Sequence, residues 1–345
     1  MRKHLFTLVL CLFLFGFQNL LWGQTSNEVP ISFFQHFAQQ TEVPTLTIET
    51  DVKKLIKDKR KENYQGASIT FNGLEGETIE MAAKIRSRGN IRKEVCYFPP
   101  VKLKMKKKAL KKLGFDTLNQ VKMVIQCQSS KQGLSYLLKE NLIYQMHQPI
   151  GPISYQTKLI KLNLIDKKGK TQELFGFLIE EEREFCARLE SRIPPGKGRI
   201  SDRLIDRDAY LKMVFFQYMI LNTDWQMINR HNLEFVLMKG QDKFMPIPYD
   251  FDYSGMVGTN YAVPDISRGI KNVQEPCFLG KDVTEEEAQS TANYFLSKKD
   301  AVYAALEADQ HLTKKDSKAI RKRLDFFFKE LESKRIIRNV FATGK

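Results

Sequence analysis

Apolar residues recur with a period of two through most of the first half of this chain and with a helical period through most of the second. That division restricts the fold to a strand-rich part followed by a helix-rich part. Residues 44–49, 67–71, 78–86, 101–105 and 121–125 are short, β-branched or alternating, and Gly, Asn and charged turns separate them. One helix is expected to interrupt this series over 133–146, where Leu134, Leu137, Leu138, Leu142 and Tyr144 recur at helical spacing. Strands resume at 154–164 and 173–179, and Pro194-Pro195-Gly196 then marks a loop or boundary. Asp206 is positioned to cap a helix over 208–221 whose stretch 213–221 is apolar almost all round, which predicts a buried central helix. A hairpin over 232–238 and 244–248 and a Gly-rich irregular stretch over 254–269 come next. Thr284 with Glu287 forms a capping box, and Thr313 precedes a last helix with Ile320, Leu324, Phe327, Phe328 and Leu331 on its apolar face. The reading is an α+β fold of two lobes sharing a cleft, strand-rich with one helix over 24–182 and mainly helical over 183–345.

Met1-Arg2-Lys3-His4 precede an almost unbroken apolar stretch over 5–17, and the chain turns polar at Gly23-Gln24-Thr25. This pattern predicts a signal peptide over 1–23 and export to the periplasm or beyond, with an uncleaved anchor as the competing reading. Cys11 sits among large apolar residues and follows no lipobox, so lipid anchoring is not expected. No later segment approaches the roughly 20 apolar residues of a membrane span, so no stable span is expected once the leader is gone. Arg2 and Lys3 would leave with it and no acidic residue would, turning the formal +15 into about +13. So basic a chain favours anionic partners such as nucleotides, phosphorylated glycans or acidic proteins. Lysines crowd residues 102–112 without interleaved aromatics, which argues against nucleic acid. Of the four later cysteines, Cys96 and Cys127 lie beside strand-like segments and are the first choice for a bridge; four free thiols are the competing reading, and no CxxC spacing suggests zinc.

Two segments carry acids and amides where local structure should expose them. Asn222-Thr223-Asp224-Trp225 follows the buried helix, with His231-Asn232 after it, and Pro248-Tyr249-Asp250-Phe251-Asp252 follows the second strand of the hairpin. Phosphoryl transfer needs one carboxylate to orient or deprotonate the attacking hydroxyl, and an amide with a second carboxylate to hold divalent metal against phosphates.

In the order and wording of these segments the chain resembles the CotH-type (spore coat protein H) kinase-like family, in its exported bacterial branch. The resemblance extends back to Arg86-Ser87-Arg88-Gly89-Asn90, to Phe98-Pro99-Pro100-Val101-Lys102-Leu103-Lys104 and to Gly176-Phe177-Leu178-Ile179-Glu180, and covers about residues 46–264. It implies an atypical protein-kinase-like two-lobed fold using ATP or another nucleotide with Mg2+ or Mn2+. On that resemblance Asp224 is the catalytic acid, and Asn232, Asp250 and Asp252 are the metal candidates. Arg88 and Gly89 would form a phosphate-facing turn, Lys102 the strand lysine with Glu140 as its partner, and the segment ending at Glu180 and Glu181 the hinge against the base. The sequence departs from ordinary protein kinases in having no GxGxxG, no HRD and no DFG. Asn229 stands where a kinase metal-binding Asn would fall, five residues after Asp224, but Asn232 matches the family's HN pair and is preferred.

Each residue also has a purely structural reading: Trp225 and His231 as core plugs, Asp224 and Asp250 as caps or ion-pair partners, Lys102 as a solvated strand position, and Arg86 and Arg88 as partners of structural carboxylates. Two functions remain in view. One is a secreted kinase acting on a protein or glycan hydroxyl, with nucleotidyl transfer as a variant on the same site; the other is a catalytically inactive kinase-like module of the cell envelope.

Overall fold

In a computed structural model of the chain, which describes residues 30–151, 153–196 and 200–344, the alternating segments of the first half become the seven strands of a closed barrel. These are β1 (Thr45–Thr50), β2 (Gln65–Asn72), β3 (Thr78–Ser87), β4 (Val101–Met105), β5 (Gln120–Ile125), β6 (Thr157–Asp166) and β7 (Thr171–Ile179), in the order β1-β2-β3-β4-β5-β7-β6. The expected leader over 1–23 lies outside the described residues. Alternation decides the two faces: Leu46, Ile69, Ile85, Leu103, Met123 and Leu162 point into the barrel and are almost completely buried. Helix α1 (Phe33–Ala38) adds Phe33, Phe34 and Phe37 to this core.

Closure corrects one implication of the kinase resemblance, because a plain kinase small-lobe sheet does not close. Here β1 pairs antiparallel with β2 and parallel with β6, Leu46 opposite Leu162, so neither edge is left unpaired. Three short helices join α1 in the first half: α2 (Val52–Lys57), α3 (Ile91–Val95) and α4 (Lys107–Lys112), each too brief to display a period in sequence. The one long helix expected there is α5 (Lys131–Ile150), capped by Ser130.

At the ends of β5 and β7 that meet α5, outward residues are apolar too. Val124, Phe177 and Ile179 join α5 in a second core that continues into the helical part. After α6 (Glu182–Arg188) comes β8 (Ser191–Arg192), then α7 (Arg207–Met219), capped by Asp206, whose carboxylate accepts the Ala209 N–H at 2.8 Å. Helix α7 is buried along most of its length, as its all-round apolar composition predicts. The hairpin strands β9 (Leu233–Met238) and β10 (Phe244–Pro248) form a small sheet with β8. The capping box at Thr284 and Glu287 opens α8 (Glu285–Ser297), α9 (Lys299–Ala308) follows, and Thr313 caps α10 (Lys314–Leu331). Among the described residues no helix is long and apolar enough to cross a membrane.

Cys96, at the end of α3, is bonded to Cys127, just past β5 and 31 positions further along the sequence; Cys186 and Cys277 are free. The bridge shortens the unfolded chain's freedom, so replacing both bonded cysteines with Ala is expected to cost about 2–4 kcal/mol in urea unfolding under oxidising conditions. A second prediction comes from His147, buried on α5 at 4.3 Å between ring centroids from Phe216, its Nδ1 without a partner among the described residues. Burial pulls its imidazole from 6.5 to about 3, so the folded chain holds it neutral while the unfolded chain takes up a proton. Its contribution is fully present above pH 6.5 and falls by about 1.4 kcal/mol per pH unit toward pH 3. Urea midpoints at pH 7 and pH 5 should therefore converge in His147→Gln relative to the unsubstituted chain.

Candidate active site

The end of α7 presents Asp224. Leu221 takes a left-handed backbone (φ 58°) that turns the chain out of the helix. Buried Asn222 then donates from its amide to Gln217 Oε1 at 2.9 Å and accepts the Asp224 N–H at 3.0 Å, fixing the loop from beneath. Asp224 Oδ1 lies 2.9 Å from His231 Nε2, and Asp224 Oδ2 accepts the Asn232 amide at 2.9 Å. The same amide donates to the Asp224 carbonyl at 2.8 Å, which leaves the Asn232 side-chain oxygen as an acceptor. Asn232 thus meets Asp224, whereas Asn229 is exposed and bonds Gln226 within the loop.

Asp250 reaches this group because β9 and β10 run side by side: Tyr249 donates its N–H to the Asn232 carbonyl at 3.1 Å, setting the two segments in register. Asn232 (φ 52°) and Asp250 (φ 61°) both occupy the left-handed region, uncommon for residues with a side chain and least unfavourable for Asn and Asp. The Tyr144 hydroxyl on α5 accepts the Asp250 N–H at 2.9 Å. The Asp250 carboxylate remains 48% exposed.

Below Asp250 is a buried ion cluster that the sequence did not disclose. Arg92 of α3 donates from Nε to Asp252 at 2.8 Å and from Nη2 to Glu140 at 2.6 Å, and Nη2 also lies 3.8 Å from Asp250. The Tyr261 hydroxyl donates to Asp252 at 2.9 Å. Two expectations change here. The cation that meets Glu140 is Arg92 and not Lys102, which makes no ion pair among the described residues and has Lys122, Glu182 and Arg86 as its charged neighbours. Asp252, expected as a second metal carboxylate, has its Oδ2 engaged by Arg92 and Tyr261, leaving Asp250 as the carboxylate turned outward. Burial pushes Glu140 up to about 8 against the pull of Arg92, with Asp252 and Asp250 adding to the push. Crowding by surrounding protein and by Asp252 likewise raises Asp250.

The outer face of β3, β4 and β5 is cationic. Arg86, Lys102 and Lys122 are cross-strand neighbours on β3, β4 and β5, all on the outer face because Val101 and Leu103 take the inner one. Arg86 is paired with Glu62 at 2.6 Å. Lys122 pairs with Glu182 at the start of α6. Lys102 has no ion pair among the described residues, and burial together with Lys122 lowers its affinity for its proton. Gly89 holds φ 89°, a conformation that suits only glycine, and so turns the chain after Arg88. Arg88 lies near enough for its charge to act on the Asp250 and Glu182 carboxylates. Glu180 is not free to meet a ligand: it is buried, and both its oxygens accept from Arg188, at 2.7 and 2.9 Å.

The structure is similar to a crystal structure of a Helicobacter pylori proinflammatory kinase, CtkA. The two share 6% identity and a TM-score of 0.37, over 74% of this chain and 93% of that one. No family model and no curated protein matches the sequence. The likeness to CotH-type proteins therefore stands on the ordered motifs themselves.

The site accordingly brings together Asp224, Asn232 and Asp250, with Arg88 near Asp250, leaves Lys102 on the outer face of β4 without an ion pair among the described residues, and turns Glu140, Glu180 and one oxygen of Asp252 to structural partners. Arg92 was missed because its short helix exposes Ile91 (47%) and Val95 (42%) while burying the arginine, the reverse of what hydropathy suggests. Removing Arg92 would leave Glu140 and Asp252 buried without their cation. Arg92→Ala is therefore expected to destabilise the chain by about 3–5 kcal/mol in urea unfolding, whereas Tyr261→Phe should cost about 1 kcal/mol.

Proposed function

We propose that the chain is a metal- and nucleotide-dependent phosphotransferase of kinase-like architecture, exported by its leader, acting on a protein or glycan hydroxyl. The observation that carries this reading is the convergence of Asp224, Asn232 and Asp250, with the guanidinium of Arg88 close enough to act on Asp250. The acids and amide would serve the acceptor and the metal, and Arg88, with Lys102 of the outer face of β4, the phosphates. Phosphoryl transfer asks for this division, since the acceptor must be oriented while negative charge on the phosphates is neutralised.

Asp224, held by Asn232 and His231, would accept the proton of the acceptor hydroxyl. The freed oxygen attacks the terminal phosphorus as the bond to the departing nucleoside diphosphate breaks. Arg88 and Lys102 would draw the phosphate oxygens into line. Asn232, through its side-chain oxygen, and Asp250 would hold a divalent cation such as Mg2+ or Mn2+, which when bound neutralises phosphate charge. The donor set fits such an ion: a half-exposed carboxylate raised by crowding gains from a nearby cation. No three His, Cys, Asp or Glu side chains gather as a metal site among the described residues, so oxygens of the nucleotide and water would complete the shell.

One observation favours the second reading, an inactive kinase-like module of the envelope: Arg92 already occupies one oxygen of Asp252, which leaves Asp250 as the one carboxylate of the pair turned outward. Thermal unfolding separates the two. With ATP and Mg2+ or Mn2+ together at about a hundred times the dissociation constant, the chain should gain about 2.7 kcal/mol, with little gain from ATP alone. Asp250→Asn should lose this gain, and Asp224→Asn should keep it while losing about 10²–10⁴-fold in transfer. If nucleotide with metal stabilises neither the unsubstituted chain nor the variants, the phosphotransferase reading falls.

A further inference from the structure

Residues 102–112 hold seven lysines and no arginine, and no acid stands between Glu94 and Asp116. The chemistry proposed above uses Lys102 alone. Most of the others belong to α4 and its N-cap: Lys106, Lys107, Lys108, Lys111 and Lys112 are exposed, and none has an ion-pair or hydrogen-bond partner for its ammonium among the described residues. At about 100° per residue, Lys107, Lys108, Lys111 and Lys112 fall on one side of the helix. Leu110 falls on the other and is 0% exposed in the barrel core, so its burial turns the lysines to solvent. Lys107 with Lys111, and Lys108 with Lys112, are like charges one helical turn apart, which disfavours the helix unless anions gather on that side.

Three features say which anion. The face is built from lysine alone, a point charge on a flexible stem, whereas protein interfaces draw on Arg and aromatic residues and are depleted in Lys. No aromatic residue stands between Phe98 and Phe115, so nucleic-acid bases have nothing to stack on. Next, Leu113 directly after α4 is 41% exposed beside Lys111 and Lys112. An apolar side chain at the rim of a cationic face is the combination that settles at the boundary between lipid headgroups and acyl chains. The last feature is where the preceding chain attaches. Asp116 donates its N–H to the Ile31 carbonyl at 2.9 Å, and four residues of chain keep Asp116 within about 14 Å of Lys112. The segment bearing the apolar stretch over 5–17, of the kind that delivers a chain to a membrane, therefore joins the folded part close to this face.

We propose that the lysine face of α4 is a peripheral membrane contact, lying on a bilayer rich in anionic phospholipid with Leu113 entering the headgroup layer. Each lysine near such a surface strengthens binding about fivefold, so the four together hold the chain at the membrane without a span. The contact uses none of Asp224, Asn232 and Asp250 and stands apart from the phosphotransferase reading.

Co-sedimentation of the full chain with vesicles of phosphatidylcholine, alone or with roughly a third of phosphatidylglycerol, tests the contact. Two variants lose the same charge at different places. One carries Lys107→Gln, Lys108→Gln, Lys111→Gln and Lys112→Gln on α4; the other carries Lys314→Gln, Lys315→Gln, Lys318→Gln and Lys322→Gln at exposed positions of α10. Residues 1–30 are common to all, so differences among the proteins report the lysines. The α4 variant should bind the anionic vesicles at least about tenfold more weakly than the unsubstituted chain, and the α10 variant within about threefold of it. The α4 loss should shrink as salt rises from about 0.05 to about 0.3 M, and should be absent on phosphatidylcholine alone. Leu113→Ser should weaken binding to the anionic vesicles about threefold at either salt concentration. Because the α4 substitutions relieve repulsion within the helix, that variant should melt no lower than the unsubstituted chain, which separates lost binding from lost folding. An α4 variant that binds as the α10 variant does overturns the proposal, since net charge and not this face would then be responsible. Heparin or a single-stranded oligonucleotide that binds as tightly as the anionic vesicles, with the same loss in the α4 variant, also overturns it and assigns the face to soluble polyanions.

Discussion

Arg92 is the point on which the two parts of the molecule turn. It belongs to a short helix between two strands of the barrel, yet its guanidinium is spent on Glu140 of the long helix and on Asp252 of the loop after the small hairpin. One side chain therefore sets the depth at which the Asp250 loop sits relative to the barrel wall. Three carboxylates around one cation are tolerable in the interior only if the geometry is tight and protons make up the difference, which agrees with the upward push on Glu140 and Asp250. The bridge between Cys96 and Cys127 anchors the same short helix from its other end, so the arginine is held by its backbone as well as by its partners.

The barrel gives this arrangement a rigid wall. Closure through the parallel pairing of β1 with β6 fixes which face of β4 and β5 looks outward, and so fixes Lys102 and Lys122 as lysines of the outer surface and not of the core. In the helical part, two consecutive constraints deliver the acids. The left-handed turn at Leu221 brings Asp224 off the end of a buried helix, and the β9–β10 ladder brings Asp250 beside Asn232. Neither acid is placed by its own loop; both inherit their position from packed elements, as a site requiring geometric accuracy must.

Local signals in the sequence were reliable where the physics is local. Capping by Asp206, Thr284 and Thr313 depends on bonds spanning three residues, and the helices begin where these residues say they should. The hairpin that brings Asn232 and Asp250 together was legible for the same reason. The short helices α2 to α4 were not, since five or six residues display no period. Lys102 and Glu140 suit each other in charge and type, but which cation a buried glutamate meets depends on the direction of α3, and its exposed Ile91 and Val95 point a sequence reader to the wrong face.

By itself, then, the sequence determined the succession of strand-rich and helix-rich parts, the caps, and the identity of the acids and amide that gather at the cleft, because each follows from periodicity or from residues a few positions apart. Only the tertiary structure decided the closure of the barrel, the seating of Arg92 among three carboxylates, and the withdrawal of Asp252 and Glu180 to structural partners. These depend on groups distant in sequence, such as Arg92 with Glu140 and Asp252, or Leu46 with Leu162. Their meeting is settled by packing and desolvation over the whole domain, for which no short window of residues carries a signal.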